Sequence, residues 1–285
     1  MFFSKERRNM ENIQVIIFDL DGTLYEDTHH FDFYAQRIKE YLPDEKQSVF
    51  EQDYEAAVNG KHTLAIGMVY DAQEDLILRQ NKGYVIEAYS WDGSSLSESD
   101  VVSKYGEKIV FDRERMFNVG DLWWIPNAIG RHYGLGREET YEAFLKTREY
   151  MMTPEFVMKE NKEFVSTLEK LSQTKKLVLL TNSPQPDSEV IVSKLGLSDV
   201  FDHKIFNGKK PVHTLQHFKA IQEKYSIDYT NILSVGDNYI NEILPARELG
   251  CPTILIDSHQ IGEDDHADYI VSNIAEATKI LQTLI

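Results

Sequence analysis

Apolar positions along this chain follow two patterns. Short, dense runs rich in Val, Ile and Leu stop abruptly at polar residues. Residues 14–18 run into Asp19, Lys176-Leu177-Val178-Leu179-Leu180 runs into Thr181, 231–235 runs into Gly236-Asp237, and 253–256 is a further run. Runs of this length without alternation fit strands buried on both faces, as in a parallel sheet. Residues 201–206 and 269–271 are shorter strand candidates. Between these runs lie segments with helical spacing: 154–171, 187–195 closed by Gly196, 211–225 opening at Pro211, 240–249 ending in Gly250, and 273–284. Regular strand–helix alternation with short connections predicts an α/β class, doubly wound parallel-sheet (Rossmann-like) core.

The stretch after the first strand reads differently. Helical spacing covers 31–42 up to Pro43, then 44–59, 63–80 and 137–151. Residues 84–91 alternate and are rich in β formers, and Asp92-Gly93 is a turn signal. Residues 108–111 form another short strand candidate, and Leu122-Trp123-Trp124-Ile125-Pro126 is strongly apolar. No compact domain needs so long a connection between two strands of one sheet. The sequence therefore predicts an inserted, mainly helical cap domain at 31–153 with a small β element. The core is then 11–30 with 154–285. The insertion leaves the chain beside Asp19 and so can cover whatever lies there.

Composition narrows the partners. The 285 residues, 42% of them hydrophobic, suffice for a core domain and a smaller one. A formal net charge of -17 argues against a nucleic-acid backbone or an anionic membrane as partner. Small phosphorylated metabolites stay open, because a local cation overrides the global field. Cys251 is the sole cysteine, so no intramolecular disulfide forms and a reducing compartment fits. The charged N-terminus has no apolar signal-like region, and no apolar run reaches membrane-spanning length. A soluble, cytoplasmic protein is expected. Met10 is an alternative start, since little before it looks structural.

The polar residues at the strand ends share one edge of a parallel sheet, where ligands bind in such folds. Asp19 and Asp21, at i and i+2, face the same way if extended geometry persists, and they repel unless a cation or shared proton relieves them. Gly22 turns the chain after them. Later strand ends contribute the Thr181 hydroxyl, then Lys209 and Lys210 before Pro211, then Asp237 followed by Asn238, Asn241 and Glu242. Acidic oxygens suit Mg²⁺. A hydroxyl, amides and a lysine suit a phosphoryl group, and a carboxylate can act as nucleophile. Each residue alone also reads as a turn acid, a strand-ending threonine, a solvated lysine pair or a helix N-cap. Their ordered combination is what distinguishes them.

Asp19-Leu20-Asp21-Gly22-Thr23-Leu24 resembles the first motif of the haloacid dehalogenase-like (HAD) hydrolase superfamily. Thr181, the Lys210-Pro211 pair and the stretch from Gly236 to Ile243 resemble its later motifs, in order. The resemblance implies a Mg²⁺-dependent phosphatase of small phosphate monoesters. In it Asp19 is the nucleophile that becomes an aspartyl-phosphate, and Asp21 protonates the leaving oxygen and then activates water. Thr181, with backbone amides at Asn182, binds the phosphoryl group. Lys210, or Lys209 in its place, supplies the lysine. Asp19, Asp237 and the main-chain carbonyl of Asp21 hold Mg²⁺. The chain departs from the family pattern at the second acid of the last motif, where Asn241 or Glu242 stands in place of the usual Asp. Asp21 suits an alkoxide leaving group, whereas relatives that cleave carbon–halogen bonds or pump ions carry something else there. A phosphomutase or other phosphotransferase would use the same residues, and a non-catalytic regulatory binding protein on this fold is the remaining alternative.

Other candidates have plainer readings beside the functional one. His29 and His30 either touch substrate from a loop at the site mouth or are simply solvated. His213 and His217 have a possible metal spacing on a helix but lack the usual accompanying glutamate. Cys251 reads as inert packing. Trp91, Trp123, Trp124, Tyr133, Arg113, Arg115 and Arg131 line a substrate pocket or build the insertion's own core. An exposed Trp123-Trp124 pair would suggest a dimer; burial within the insertion is the favoured reading, and the oligomeric state stays open.

Overall fold

The computed structural model describes residues 8–112 and 114–285, so Arg113 lies outside the described residues. The chain divides into two units, one formed by the chain up to Asp27 with Met151–Ile285, the other by Thr28–Tyr150. In chain order, β1 (Val15–Phe18) belongs to the first unit. Next come α1 (His29–Lys39), α2 (Asp44–Val58), β2 (Val69–Asp71), β3 (Leu76–Asn81), β4 (Tyr84–Tyr89), α3 (Glu98–Tyr105), β5 (Met116–Asn118), α4 (Trp124–His132) and α5 (Arg137–Met152). The first unit resumes with α6 (Lys162–Ser172), β6 (Lys176–Leu180), α7 (Gln185–Lys194), β7 (His203–Ile205), α8 (Thr214–Tyr225) and β8 (Ile232–Gly236). A π-helical turn over Tyr239–Ile243 leads into α9 (Leu244–Glu248), β9 (Thr253–Ile256), β10 (Tyr269–Val271) and α10 (Ile274–Gln282).

The first unit carries the expected doubly wound sheet. Its order is β10-β9-β8-β1-β6-β7, and every neighbouring pair is parallel. β1 lies inside the sheet, with Ile16 beside Leu177 on one side and Leu233 on the other. No β1 side chain is more than 3% exposed, as its unbroken apolar run requires. Val15 and Ile17 pack with Phe218, Ile221 and Ala246 of α8 and α9. Phe18 points the other way, edge-on to Phe164 of α6. From β1 the chain builds outward through β6 and β7, then crosses to β8, β9 and β10. The winding reverses at β1, and that switch point opens a crevice at the carboxyl ends of the strands. Cys251 is buried in this core, and burial pushes its thiol up to about 12, so it behaves as packing.

The second unit is mainly helical, and its β element is a four-stranded antiparallel sheet, β4-β3-β2-β5. Tyr34, Ile38, Phe50, Tyr70, Phe117 and Ile129 form its main core. The helix expected over 63–80 is instead β2 and β3. Leu64, Met68, Ala72 and Leu76 recur every four residues and imitate a helical stripe. Two β-forming clusters, Val69-Tyr70 and Leu76-Ile77-Leu78, decide the matter. Between them the Asp71 carboxylate accepts from the Gln73 and Glu74 N–H groups, and Asp75 takes a positive φ of 54°. The strand expected at 108–111 is a loop, and Met116–Asn118 pairs with β2 in its stead. His29 and His30 open α1 rather than forming a loop. His30 is fully buried, its ring 4.0 Å from Phe31 and 5.0 Å from Trp123. Trp123 and Trp124 are half-buried against the main core. Trp91 and Tyr133 both donate to Asp53, Arg115 pairs with Asp71, and Arg131 donates to the Glu114 carbonyl. Among the described residues no helix is long and apolar enough to cross a membrane.

Among the described residues before Met10, Arg8 is structural. The Arg8 guanidinium donates to both oxygens of Asp268, at 3.2 and 3.1 Å, and Asp268 also accepts from Thr253 N–H and Oγ1. The Asp268 side chain is only 3% exposed. Arg247, 3.8 Å away, remains as a weaker partner if Arg8 is lost. Arg8→Ala is expected to cost about 1–3 kcal/mol of folding stability. Thermal melts would register the loss as a lower midpoint, and an unchanged midpoint would show that Arg247 alone suffices.

Candidate active site

Four loops, following β1, β6, β7 and β8, lie at the carboxyl edge of the parallel sheet. Asp19 extends that strand, its N–H donating to Val235 O at 3.1 Å, and is 8% exposed. Asp21 follows on a loop that turns at Gly22, where φ is +79°. A Cβ at Gly22 would lie 2.2 Å from Oδ2 of Asp237. Only glycine therefore allows the Asp237 carboxylate, just beyond β8, to rest against the loop that carries Asp21.

Thr181 ends β6 and is 1% exposed; its Oγ1 accepts from Ser183 N–H at 3.0 Å. Asn182 bonds Lys210 twice through the main chain, its Oδ1 accepting from Lys210 N–H at 2.7 Å and its Nδ2 donating to Lys210 O at 3.1 Å. These bonds fix the loop after β7. The Lys210 ammonium, with its side chain 1% exposed, donates to Asp19 Oδ1 at 2.6 Å and to Glu242 Oε1 at 2.5 Å. Lys209 is exposed. Of the two lysines, it is Lys210 that reaches Asp19.

The last motif is shaped by its π turn. Asn241 is held through its main chain: its carbonyl accepts from Thr214 Oγ1 at 2.9 Å and its N–H donates to Asn238 Oδ1 at 3.2 Å. Glu242 turns inward, and its second oxygen accepts from Asn238 N–H at 3.0 Å. Space for the longer side chain comes from Gly236, where a Cβ would lie 2.6 Å from Glu242 Cγ.

Charge at the site is unbalanced. Four carboxylates gather here, Asp19, Asp21, Asp237 and Glu242, and among the described residues the Lys210 ammonium pairs with Asp19 and Glu242. Burial pushes Asp19 above the usual carboxylate range, and the Asp21 charge adds to this while Lys210 opposes it. Burial likewise raises Glu242, to about 8, against the pull of Lys210. For Lys210 burial acts downward, but the two carboxylates outweigh it and hold the ammonium protonated. A crowd of hard oxygens with surplus negative charge is the chemistry that suits a small divalent cation.

Two polar partners escaped the sequence reading. Asp21 Oδ2 accepts from Ser183 Oγ at 2.8 Å, and Asp21 Oδ1 accepts from the Tyr25 hydroxyl. Ser183 lies two residues beyond Thr181, which is the only sequence signal for it. Tyr25 carries none beyond nearness to the motif. The His213 and His217 rings have centroids 6.4 Å apart, and His217 Nε2 lies 2.8 Å from Gly208 O.

A family model described as haloacid dehalogenase-like hydrolase matches residues 13–250. The curated proteins contain no match to this sequence. Several solved structures resemble the chain over nearly its whole length. YfnB of Bacillus subtilis, described as a candidate HAD-hydrolase bound to magnesium, has a TM-score of 0.53 at 13% identity and covers 95% of this chain and 99% of its own. SP0104 of Streptococcus pneumoniae, a haloacid dehalogenase-like hydrolase, gives 0.51 at 15% identity, covering 96% and 100%. A predicted phosphoglycolate phosphatase from Haemophilus somnus 129PT gives 0.50 at 17% identity, covering 96% and 100%. At such identities the likeness bears on the fold alone.

Proposed function

This chain belongs to the haloacid dehalogenase-like hydrolases, and on that premise we propose that it is a Mg²⁺-dependent phosphatase of small phosphate monoesters. The observation that carries this reading is the Lys210 ammonium seated on Asp19, on the same sheet edge as Thr181 and the Gly22–Asp237 contact. In this proposal an Asp19 oxygen attacks phosphorus, the bond to the leaving oxygen breaks, and an aspartyl-phosphate forms. Asp21 gives a proton to the leaving oxygen. It then takes one from the water that attacks phosphorus, which releases inorganic phosphate and restores the Asp19 carboxylate. The Thr181 hydroxyl accepts from Ser183 N–H, which leaves its own proton for a phosphoryl oxygen. Amides at Asn182 take another such oxygen. Lys210 keeps Asp19 oriented and balances charge through both steps. Mg²⁺, held by Asp19, Asp237 and the main-chain carbonyl of Asp21, would supply further charge neutralisation when bound.

In the same reading, 31–153 is the inserted cap domain and 11–30 with 154–285 the core. The substrate is a small phosphorylated metabolite of the cytoplasm, with no nucleic acid or membrane partner. The test is phosphate release from a panel of phosphorylated metabolites, run with Mg²⁺ and with EDTA. Release from a few related esters, lost in EDTA and restored by excess Mg²⁺, is expected. A folded protein that binds Mg²⁺ yet releases phosphate from none of them would move the site to phosphotransfer or regulatory binding.

A further inference from the structure

Asp21 sits off the end of its strand, on a loop turned by a positive-φ glycine. Two hydroxyls hold its carboxyl. Tyr25, 2% exposed and bridged to Asp21 through the main chain, donates to Oδ1. Ser183, 4% exposed, donates to Oδ2 at 2.8 Å. Ser183 is held in turn: its N–H donates to Thr181 Oγ1 at 3.0 Å and its carbonyl accepts from Asn207 N–H at 3.0 Å. The carboxyl of Asp21 is thus gripped at both oxygens by buried groups from two separate loops.

We infer that Tyr25 and Ser183 are positioning residues for proton transfer by Asp21, an inference that rests on the phosphatase reading above. A carboxyl that rotates freely spends little time with its proton aimed at the leaving oxygen, and proton transfer demands close alignment. Fixing both torsions in advance removes that loss. The role is specific to the proton. An alkoxide cannot leave phosphorus without one, whereas p-nitrophenolate leaves as the anion. The same grip also serves the later step, in which Asp21 accepts a proton from water.

The test compares kcat/KM for a simple alkyl phosphate and for p-nitrophenyl phosphate, since kcat/KM reports the steps through formation of the aspartyl-phosphate. Tyr25→Phe and Ser183→Ala both keep the apolar bulk of the site, so either can stand in for the other if one folds poorly. In each, the nitrophenyl-to-alkyl ratio of kcat/KM is expected to rise at least about tenfold. The rise should vanish in an Asp21→Asn background, because a residue acting only through Asp21 has nothing left to position. A ratio that stays put in both variants of an active enzyme, or one that rises as much without the Asp21 carboxylate, overturns the inference. A wild-type protein silent toward both esters and toward the whole metabolite panel overturns the phosphatase reading, and this inference with it; where only the panel is cleaved, a panel ester takes the place of the alkyl phosphate and its aryl counterpart that of p-nitrophenyl phosphate.

Discussion

Asp19→Asn is expected to lower turnover by at least about a thousandfold while leaving the fold intact. The carboxamide has nearly the same shape as the carboxylate and can still accept from Lys210, now 2.6 Å from Asp19 Oδ1. Its oxygen cannot attack phosphorus to give a stable acyl phosphate, so the covalent route is closed. Stability should move little, or upward. Asp19 is buried beside Asp21 and Glu242, and burial already disfavours its charged form. A neutral amide therefore removes repulsion along with an ion pair. Single-turnover phosphate release and a thermal melt on the same preparation check both halves. Undiminished turnover in Asp19→Asn would remove Asp19 from the mechanism.

Lys210→Met is expected to damage both stability and activity. The ammonium lies between two buried carboxylates, 2.6 Å from one and 2.5 Å from the other. Its loss leaves Asp19 and Glu242 facing each other without a counter-charge. Breaking a buried pair in this way costs about 3–5 kcal/mol. Turnover should fall about a hundredfold or more, as for removal of a preorganised transition-state donor. The double variant Lys210→Met/Glu242→Gln separates the two effects. Gln can still accept from Asn238 N–H, as Glu242 Oε2 does at 3.0 Å, and it brings no charge. Denaturant unfolding should recover most of the lost stability in the double variant, while phosphate release stays low. Recovery of both together would mean that Lys210 serves the fold alone.

Much of this architecture was legible in the sequence because the strands of a parallel sheet are buried on both faces. Val15 to Phe18 and Leu177 to Leu180 have no polar face to obscure their pattern. The insertion was harder to read. Its buried strands β2 and β5 are only three residues long, β3 and β4 are partly exposed, and the Leu64–Met68–Ala72–Leu76 spacing fits a helix as well as a hairpin; the turn chemistry of Asp71 and Asp75 carried the better signal. At the candidate site, the motif residues could be named from the sequence, whereas the partners that hold them could not. Ser183 meets Asp21 across 162 positions of sequence, and no local pattern encodes that meeting. The question of Asn241 or Glu242 turned on the π turn, in which Ser234 Oγ takes the Glu242 carbonyl at 3.0 Å and Thr214 takes that of Asn241. Such an irregular turn has no periodic signature.

The place of β1 inside the sheet has a consequence for how the protein is made. Val15 pairs with Lys176 on one side and with Ile232 on the other. A ribosome adding roughly 5–20 residues per second needs on the order of 10–40 s to go from the first of these strands to the last. Throughout that interval Val15-Ile16-Ile17-Phe18 is a nascent apolar segment with no native neighbour on at least one edge. Such a segment is a target for chaperones and for wrong pairing with other chains. Slower synthesis lengthens this wait, so it favours folding only where something shelters the strand until β8 arrives.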